Sequence, residues 1–191
     1  MEEEEHEPPS PAALATSAVV FYAFLVLLAM GLFAVMDLDP TLVVFGEGAH
    51  LERDTLIGAA AGGIMVWLTR LSLRFEAVRA LNAELQGMLG TLDTPSITIM
   101  ALTSSIGEEI LFRGALQPLL GLLPTAILFG FMHGGIQKRF RLWVIFTIGA
   151  GLVLGALTAW TDNLLAAILC HFTVNYFNLH TVTQRKGDES A

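Results

Sequence analysis

Residues 107–114 read GEEILFRG and place two carboxylates and one guanidinium inside an apolar segment that runs from about residue 96 to residue 120. An ionised group near the centre of a bilayer costs roughly 2.5–3.5 kcal/mol, so such residues usually face a protein interior or a wet cavity and mark a functional site. On a helix, Glu109 and Arg113 lie one turn apart and can form an ion pair, whereas Glu108 points about 100° away from Glu109. The stretch therefore predicts two acids with different roles, one an ion-paired structural carboxylate and the other free to accept a proton.

The composition is typical of a membrane protein. Of the 191 residues, 54% are hydrophobic and only 15% are charged, and the mean hydropathy is +0.64. At roughly 20 apolar residues per helical span, the chain has room for about six spans and no separate soluble domain. Much of the net charge of −8 comes from glutamates in residues 1–7, which predicts a disordered, solvated acidic tail. A single cysteine, Cys170, excludes an intramolecular disulfide.

Hydrophobic periodicity predicts an all-α fold, a polytopic transmembrane helical bundle of about six spans plus one amphipathic interfacial helix. The predicted spans are residues 12–35, 56–73, 94–120, 124–133, 142–161 and 164–177, the fourth and sixth being short for a full crossing, and the amphipathic helix covers residues 75–92. The second span carries Gly58, Gly62 and Gly63 on closely related faces, where another helix can approach closely.

The distribution of basic residues predicts the orientation. With an inside N-terminus and six crossings, eight of the ten Lys and Arg residues fall on one side of the membrane. They are Arg70, Arg74, Arg79, Lys138, Arg139, Arg141, Arg185 and Lys186. By the positive-inside rule, this bias predicts a multi-pass protein of the cell (inner) membrane with both termini cytoplasmic.

Three polar residues in the later spans complete a pattern with the acidic stretch. His133 lies in the fourth span, and His171 and Asn175 lie one turn apart in the sixth. Each alone is compatible with a polar contact between helices, but together with the acids they form a costly set to bury for packing alone. Their chemistry suits peptide hydrolysis, in which Glu108 with His133 activates water while His171 and Asn175 offer donors to the developing oxyanion.

The same residues also allow a metal site. Glu108, His133 and His171 would be the ligands, since two His and one Glu form a common catalytic zinc set with an open fourth position. No two histidines at i, i+4 flank a glutamate, and asparagine is an uncommon zinc ligand. Zinc is therefore possible, but no cofactor is predicted.

Three motifs in this part of the chain resemble those of a known family. They are Glu-Glu-x-x-x-Arg at 108–113, Phe-x-x-x-His at 129–133 and His-x-x-x-Asn at 171–175. In order and spacing they resemble the motifs of the CAAX protease and bacteriocin-processing enzyme family, intramembrane endopeptidases related to the type II CAAX prenyl endopeptidase. The resemblance covers about residues 94–178.

The resemblance implies roles for six residues. Glu108 and His133 would activate water, His171 and Asn175 would form the oxyanion site, and Glu109 and Arg113 would be a supporting pair. It also implies a catalytic core at 94–180. The rest of the chain is then a disordered acidic tail at 1–11, the N-terminal spans with the amphipathic helix at 12–93, and a polar tail at 181–191. A glutamate-dependent, metal-free mechanism fits the resemblance at least as well as a metalloprotease.

The implied substrate is a membrane-associated protein or peptide, and the partners are that substrate and the lipid bilayer, with no nucleic acid. A bacteriocin-type peptide, a C-terminal sorting tail and a CAAX-like protein all remain candidates, and a bacterial source is the better expectation. Two alternatives are a transporter in which the buried acids and histidines relay protons, and a non-catalytic immunity or scaffold protein. A nucleophilic Cys170, or a serine protease built on Ser104 or Ser105, is less favoured because such residues usually pack or bond locally.

Overall fold

The computed structural model describes residues 9–47 and 50–184. Predictions for the tail at 1–8, and for Arg185 and Lys186, lie outside the described residues.

In chain order the helices are α1 (Pro11–Met36), α2 (Pro40–Phe45), α3 (Leu51–Ser72), α4 (Glu76–Leu89), α5 (Thr94–Glu109), α6 (Gln117–Leu120), α7 (Leu122–Gly134), α8 (Arg141–Thr161) and α9 (Leu165–Thr183). A π-helical segment (Ile110–Leu116) joins α5 to α6, and a 3-10 turn (Lys138–Phe140) precedes α8. The described ranges contain no strand, and the predicted all-α bundle is confirmed.

Three helical stretches are long and apolar enough to cross a membrane. They are α1, α3 and the stretch Lys138–Thr161, while α7 is apolar but shorter. Large apolar side chains such as Leu27, Trp67 and Ile145 are exposed on these helices. Apolar side chains on the outside suit a bundle whose solvent is lipid. The count of six spans stays a prediction.

The last helix is longer than predicted. The predicted sixth span covers about residues 164–177, with His171 and Asn175 interrupting its apolar character, whereas α9 runs from Leu165 to Thr183. The helix continues because no proline or glycine lies between Leu165 and Thr183 to end it, and the end of the span itself stays a prediction. The two polar residues instead face the interior of the bundle, where their side chains bond residues of α5.

Helix α3 packs closely on α9 through two glycines. A Cβ added at Gly58 would lie 2.5 Å from the Ala166 carbonyl oxygen, and one at Gly62 would lie 2.7 Å from Thr173 Cβ. Gly63 was expected on a closely related face that another helix approaches, but no atom of another described helix lies within 4 Å of a Cβ built there. That expectation was wrong because Gly63 points about 100° away from Gly62 on the helix. Close approach at the two glycines fixes the position of α9, which carries His171.

We expect Gly58→Ala to destabilise the protein by about 1–3 kcal/mol, because the added methyl group must push α3 away from the α9 backbone. Gly63→Ala is the matched control, since its methyl group meets open space on the same helix. This control should melt at the same temperature or slightly higher, because alanine favours a helix over glycine by about 1 kcal/mol. Thermal unfolding of both variants in detergent makes the comparison, and equal losses would contradict the close packing.

Candidate active site

The acidic motif lies where α5 changes into the π-helical segment. Glu108 and Glu109 are the last two residues of α5, and Arg113 lies within the π-helical turn. All three side chains are buried. Short π-helical segments inside α-helices occur frequently at functional sites. Apolar periodicity predicted one continuous helix here and carried no signal for the change.

Glu109 and Arg113 form a buried ion pair one helical turn apart. Arg113 Nη1 donates to Glu109 Oε1 at 2.9 Å, and neither side chain is exposed. The same carboxylate oxygen lies 2.7 Å from Nδ1 of His171. Arg113 also donates to the Gly151 carbonyl at 3.2 Å, and its guanidinium lies 4.3 Å from the centre of the Phe129 ring. Glu109 is therefore both neutralised by Arg113 and fixed against the imidazole of α9.

Glu108 has a different environment. Its Oε2 atom is buried and has no hydrogen-bond partner within the described part of the chain. This oxygen lies 3.5 Å from His133 Nε2 and 3.8 Å from His171 Nε2. Because most buried polar atoms are hydrogen-bonded, an unpartnered carboxylate oxygen facing two imidazoles marks a position for a polar ligand.

Hydrogen-bond partners assign the tautomer of each neutral histidine. His133 Nδ1 lies 2.8 Å from the Phe129 carbonyl oxygen, which can only accept, so Nδ1 carries the proton. His133 Nε2 therefore presents a lone pair to Glu108. By the same argument, His171 Nδ1 donates to the Glu109 carboxylate, and its Nε2 accepts from Asn175 Nδ2 at 3.0 Å. Glu108 and His133 thus offer two acceptors to a shared space.

Asn175 connects α9 to α5. Besides His171, its Nδ2 atom lies 2.9 Å from Ser104 Oγ, and the Ser104 hydroxyl in turn bonds the Ala101 carbonyl. The amide is half-buried, whereas Ser104 is buried. From the sequence, Ser104 was considered only as a weak candidate nucleophile. Its position one turn before Glu108 places both residues on the same helix face.

Phe129 forms the apolar wall of the cluster. Its ring centre lies 4.4 Å from that of His133 and 5.9 Å from that of His171. The His133 side chain is 21% exposed, compared with 8% for Glu108 and 5% for His171. The His133 side chain is therefore more accessible than those of Glu108 and His171.

The structure brings every predicted site residue into one cluster. The four predicted catalytic residues come from α5, α7 and α9, and the predicted supporting pair lies directly beside them. Their catalytic roles stay predictions. Sequence reasoning missed the contacts of Glu109 with His171 and of Ser104 with Asn175. Cys170 is fully buried with its sulfur 3.7 Å from Met65 Sδ, as expected of an apolar filler.

The geometry does not favour the alternative metal set of Glu108, His133 and His171. Among residues 9–47 and 50–184, no three His, Cys, Asp or Glu side chains are grouped to hold a metal ion. Both ring nitrogens of His171 already take part in hydrogen bonds, to Glu109 and to Asn175. A metal would have to compete with these bonds, and the expectation of no cofactor stays a prediction.

Comparisons with known proteins point to the family that the three motifs suggested. Residues 90–177 match the family model described as type II CAAX prenyl endopeptidase Rce1-like. The chain is 31% identical over 81 residues to the uncharacterized protein YpbD of Bacillus subtilis (strain 168). That alignment covers 42% of each protein, so the chain matches less than half the length of this relative. No solved structure gives a significant match. The matched segment contains all three motifs, and the resemblance of this chain to the type II CAAX prenyl endopeptidases is confirmed.

Proposed function

We propose that this protein is an intramembrane endopeptidase that hydrolyses a peptide bond of a membrane-associated protein or peptide, with water activated by Glu108 and His133. The observation that carries this proposal is the pair of acceptors in the site. Glu108 Oε2 and His133 Nε2 lie 3.5 Å apart, and the carboxylate oxygen has no hydrogen-bond partner among the described residues. A water molecule that donates one hydrogen bond to each acceptor is held and polarised for attack.

The steps of hydrolysis follow from this arrangement. Glu108 takes a proton as the water oxygen attacks the carbonyl carbon of the scissile bond. Negative charge then develops on the carbonyl oxygen, and the Asn175 amide turns one of its hydrogens from His171 towards that oxyanion. When the C–N bond breaks, Glu108 passes its proton to the leaving nitrogen. The carboxylate is regenerated, and one water is consumed for each bond cleaved.

The Glu109–Arg113 pair supports the site without entering the reaction. An unpaired Glu109 carboxylate would add a second negative charge beside Glu108. Arg113, whose Nη1 lies 2.9 Å from Glu109 Oε1, neutralises that charge. The remaining contact of Glu109, to His171 Nδ1, holds the imidazole ring in place. An imidazole fixed by a carboxylate presents its other nitrogen in a defined direction.

We propose that substrate enters from the cytoplasmic side. His133, whose side chain is more exposed than those of Glu108 and His171, lies near the end of α7, shortly before the basic turn Lys138–Phe140. The positive-inside rule places such a turn in the cytoplasm, together with both termini. Arg139 in this turn pairs with Glu84 of the amphipathic helix α4, which therefore lies beside the entrance. Helix α4 is suited to the membrane surface, where a membrane-bound peptide would approach.

A bacteriocin-type peptide, a C-terminal sorting tail and a CAAX-like protein are the candidate substrates, and a test should assume none of them. Three host strains are compared: one with the wild-type protein, one with Glu108→Gln and one with the gene deleted. In each strain, mass spectrometry identifies the peptide termini present in the membranes and in the medium. We expect specific new termini with the wild type only. Wild-type termini that persist in the variant would contradict the assignment of Glu108.

A proton transporter or a silent scaffold gives a different result in the same cells. A transporter yields no specific termini but carries proton flux in proteoliposomes, which a pH-sensitive dye reports. A scaffold yields neither termini nor flux, and Glu108→Gln then rescues the deletion phenotype. Either result would overturn the proposed endopeptidase.

We expect activity to be independent of added metal. Purified protein incubated with 1,10-phenanthroline or EDTA and then transferred to metal-free buffer should retain its rate, because Glu108 and His133 supply the base themselves. Elemental analysis of the same sample should find no stoichiometric zinc. Loss of activity on chelation, with recovery on adding Zn²⁺, would favour the set Glu108, His133 and His171 as ligands.

A further inference from the structure

We infer that Ser104 is a positioning residue for the proposed hydrolysis and that it acts by orienting the amide of Asn175. This inference rests on the proposed function, in which Asn175 supplies a donor to the oxyanion. The side-chain amide of asparagine has a donor end and an acceptor end of nearly the same shape. Only the donor end stabilises an oxyanion, so the residue that selects this end affects the rate of the chemical step.

The hydrogen bonds of Ser104 select the donor end. Its hydroxyl has one hydrogen, which is donated to the Ala101 carbonyl at 3.2 Å within α5. Ser104 Oγ can therefore only accept from Asn175, whose Nδ2 atom lies 2.9 Å away. His171 Nε2 in the neutral tautomer also accepts from this nitrogen. Two acceptors thus hold the NH₂ group of Asn175 inside the site.

Ser104 keeps the Asn175 amide in place when the amide gives up its hydrogen bond to His171. As the oxyanion forms, one Nδ2 hydrogen leaves His171 for the substrate oxygen. The second hydrogen remains on Ser104, which is buried and fixed by its own helix. The Asn175 side chain is only half-buried and would otherwise be free to rotate. Small losses of alignment at a reacting centre reduce rates strongly, by up to about a hundredfold for a displacement of 1 Å.

The adjacent serine provides a matched control. Ser105 is also buried in α5, and its hydroxyl donates to the Leu102 carbonyl at 3.0 Å, three residues back, as that of Ser104 does to Ala101. Among the described hydrogen bonds, however, Ser105 makes none to a residue of the cluster. The two serines therefore share burial, helix and local bonding, and differ in the contact with Asn175.

The experiment uses purified full-length protein in detergent and a synthetic peptide that spans a cleavage site found in host membranes. We expect Ser104→Ala to lower kcat by about tenfold while KM stays within about twofold. Ser105→Ala should match the wild type, and Ser104→Thr, which keeps a hydroxyl, should recover most of the rate. Melting temperatures of all variants are measured alongside, to separate folding from rate.

A double-mutant cycle distinguishes positioning from packing. In an Asn175→Ala background, the further change Ser104→Ala should leave kcat unchanged, because the amide that Ser104 orients is already absent. An equal tenfold loss in both backgrounds would overturn the inference, as would equal rates of Ser104→Ala and Ser105→Ala. In both cases the endopeptidase proposal stands if the wild type cleaves the peptide and Glu108→Gln does not. A wild type that cleaves no peptide overturns the proposed function, and this inference with it.

Discussion

Glu108→Gln should lower kcat by about a thousandfold and leave the fold intact, because glutamine keeps the shape of glutamate but cannot take a proton from water. The variant should melt at the same temperature as the wild type or slightly higher. Glu108 Oε2 has no hydrogen-bond partner among the described residues to lose, and the change replaces a buried carboxylate by a neutral side chain. Steady-state kinetics on a synthetic peptide and thermal unfolding in detergent measure the two effects.

Glu84→Gln is the matched control for this change. Glu84 lies on α4 outside the cluster, and its side chain, which pairs with Arg139, is 39% exposed. Since an exposed ion pair contributes only about 0–1 kcal/mol, this variant should keep both its rate and its melting temperature. A Glu108→Gln protein with the wild-type rate would show that another group acts as the base.

Glu109→Gln should affect stability first. Arg113 would lose its charged partner while remaining fully buried, and breaking a buried ion pair from one side typically costs about 3–5 kcal/mol. We therefore expect a lower yield, a melting temperature well below that of Glu108→Gln and loss of activity together with the fold. Unfolding in detergent and purification yield measure this loss.

The double variant Glu109→Gln/Arg113→Met separates charge from chemistry. Removing both charges should restore much of the stability, because no uncompensated ion then remains in the interior. Activity should stay low, since His171 Nδ1 no longer donates to a carboxylate. A Glu109→Gln protein with the yield and melting temperature of the wild type would contradict the structural role of the ion pair.

Sequence spacing was informative wherever the relevant residues lie on one helix. The pairing of Glu109 with Arg113 follows from the i, i+4 distance, and it survives even though the backbone between them is π-helical. The amphipathic helix was placed at 75–92 by the same reasoning and lies at Glu76–Leu89. Both features depend on local geometry, which a period of 3.6 residues describes well.

Spacing along the sequence does not predict which residues contact each other across different helices. Glu109 meets His171 across 62 positions, and Ser104 meets Asn175 across 71. The motifs indicated that these residues belong to one site, but not which nitrogen faces which oxygen. Similarly, the sequence grouped three glycines of α3, whereas the packing partner α9 touches two of them. Such details depend on how the helices pack, which periodicity does not encode.

The end of α9 shows a related limit. His171 and Asn175 interrupt the apolar character of the predicted sixth span, yet both lie within a helix that continues to Thr183. A buried polar group is tolerated when partners on a neighbouring helix satisfy it. Those partners, Glu109 and Ser104, are known only from the structure.

The central claim is that Glu108 activates water to break a peptide bond, and mass spectrometry of a single purified reaction tests it most directly. Wild-type protein or Glu108→Gln is reconstituted in liposomes with one synthetic peptide that spans a cleavage site found in host membranes. With the wild type, we predict two fragments whose masses sum to that of the peptide plus one water, and with Glu108→Gln an intact peptide. An intact peptide with the wild type, or the same fragments with the variant, would contradict the proposed mechanism.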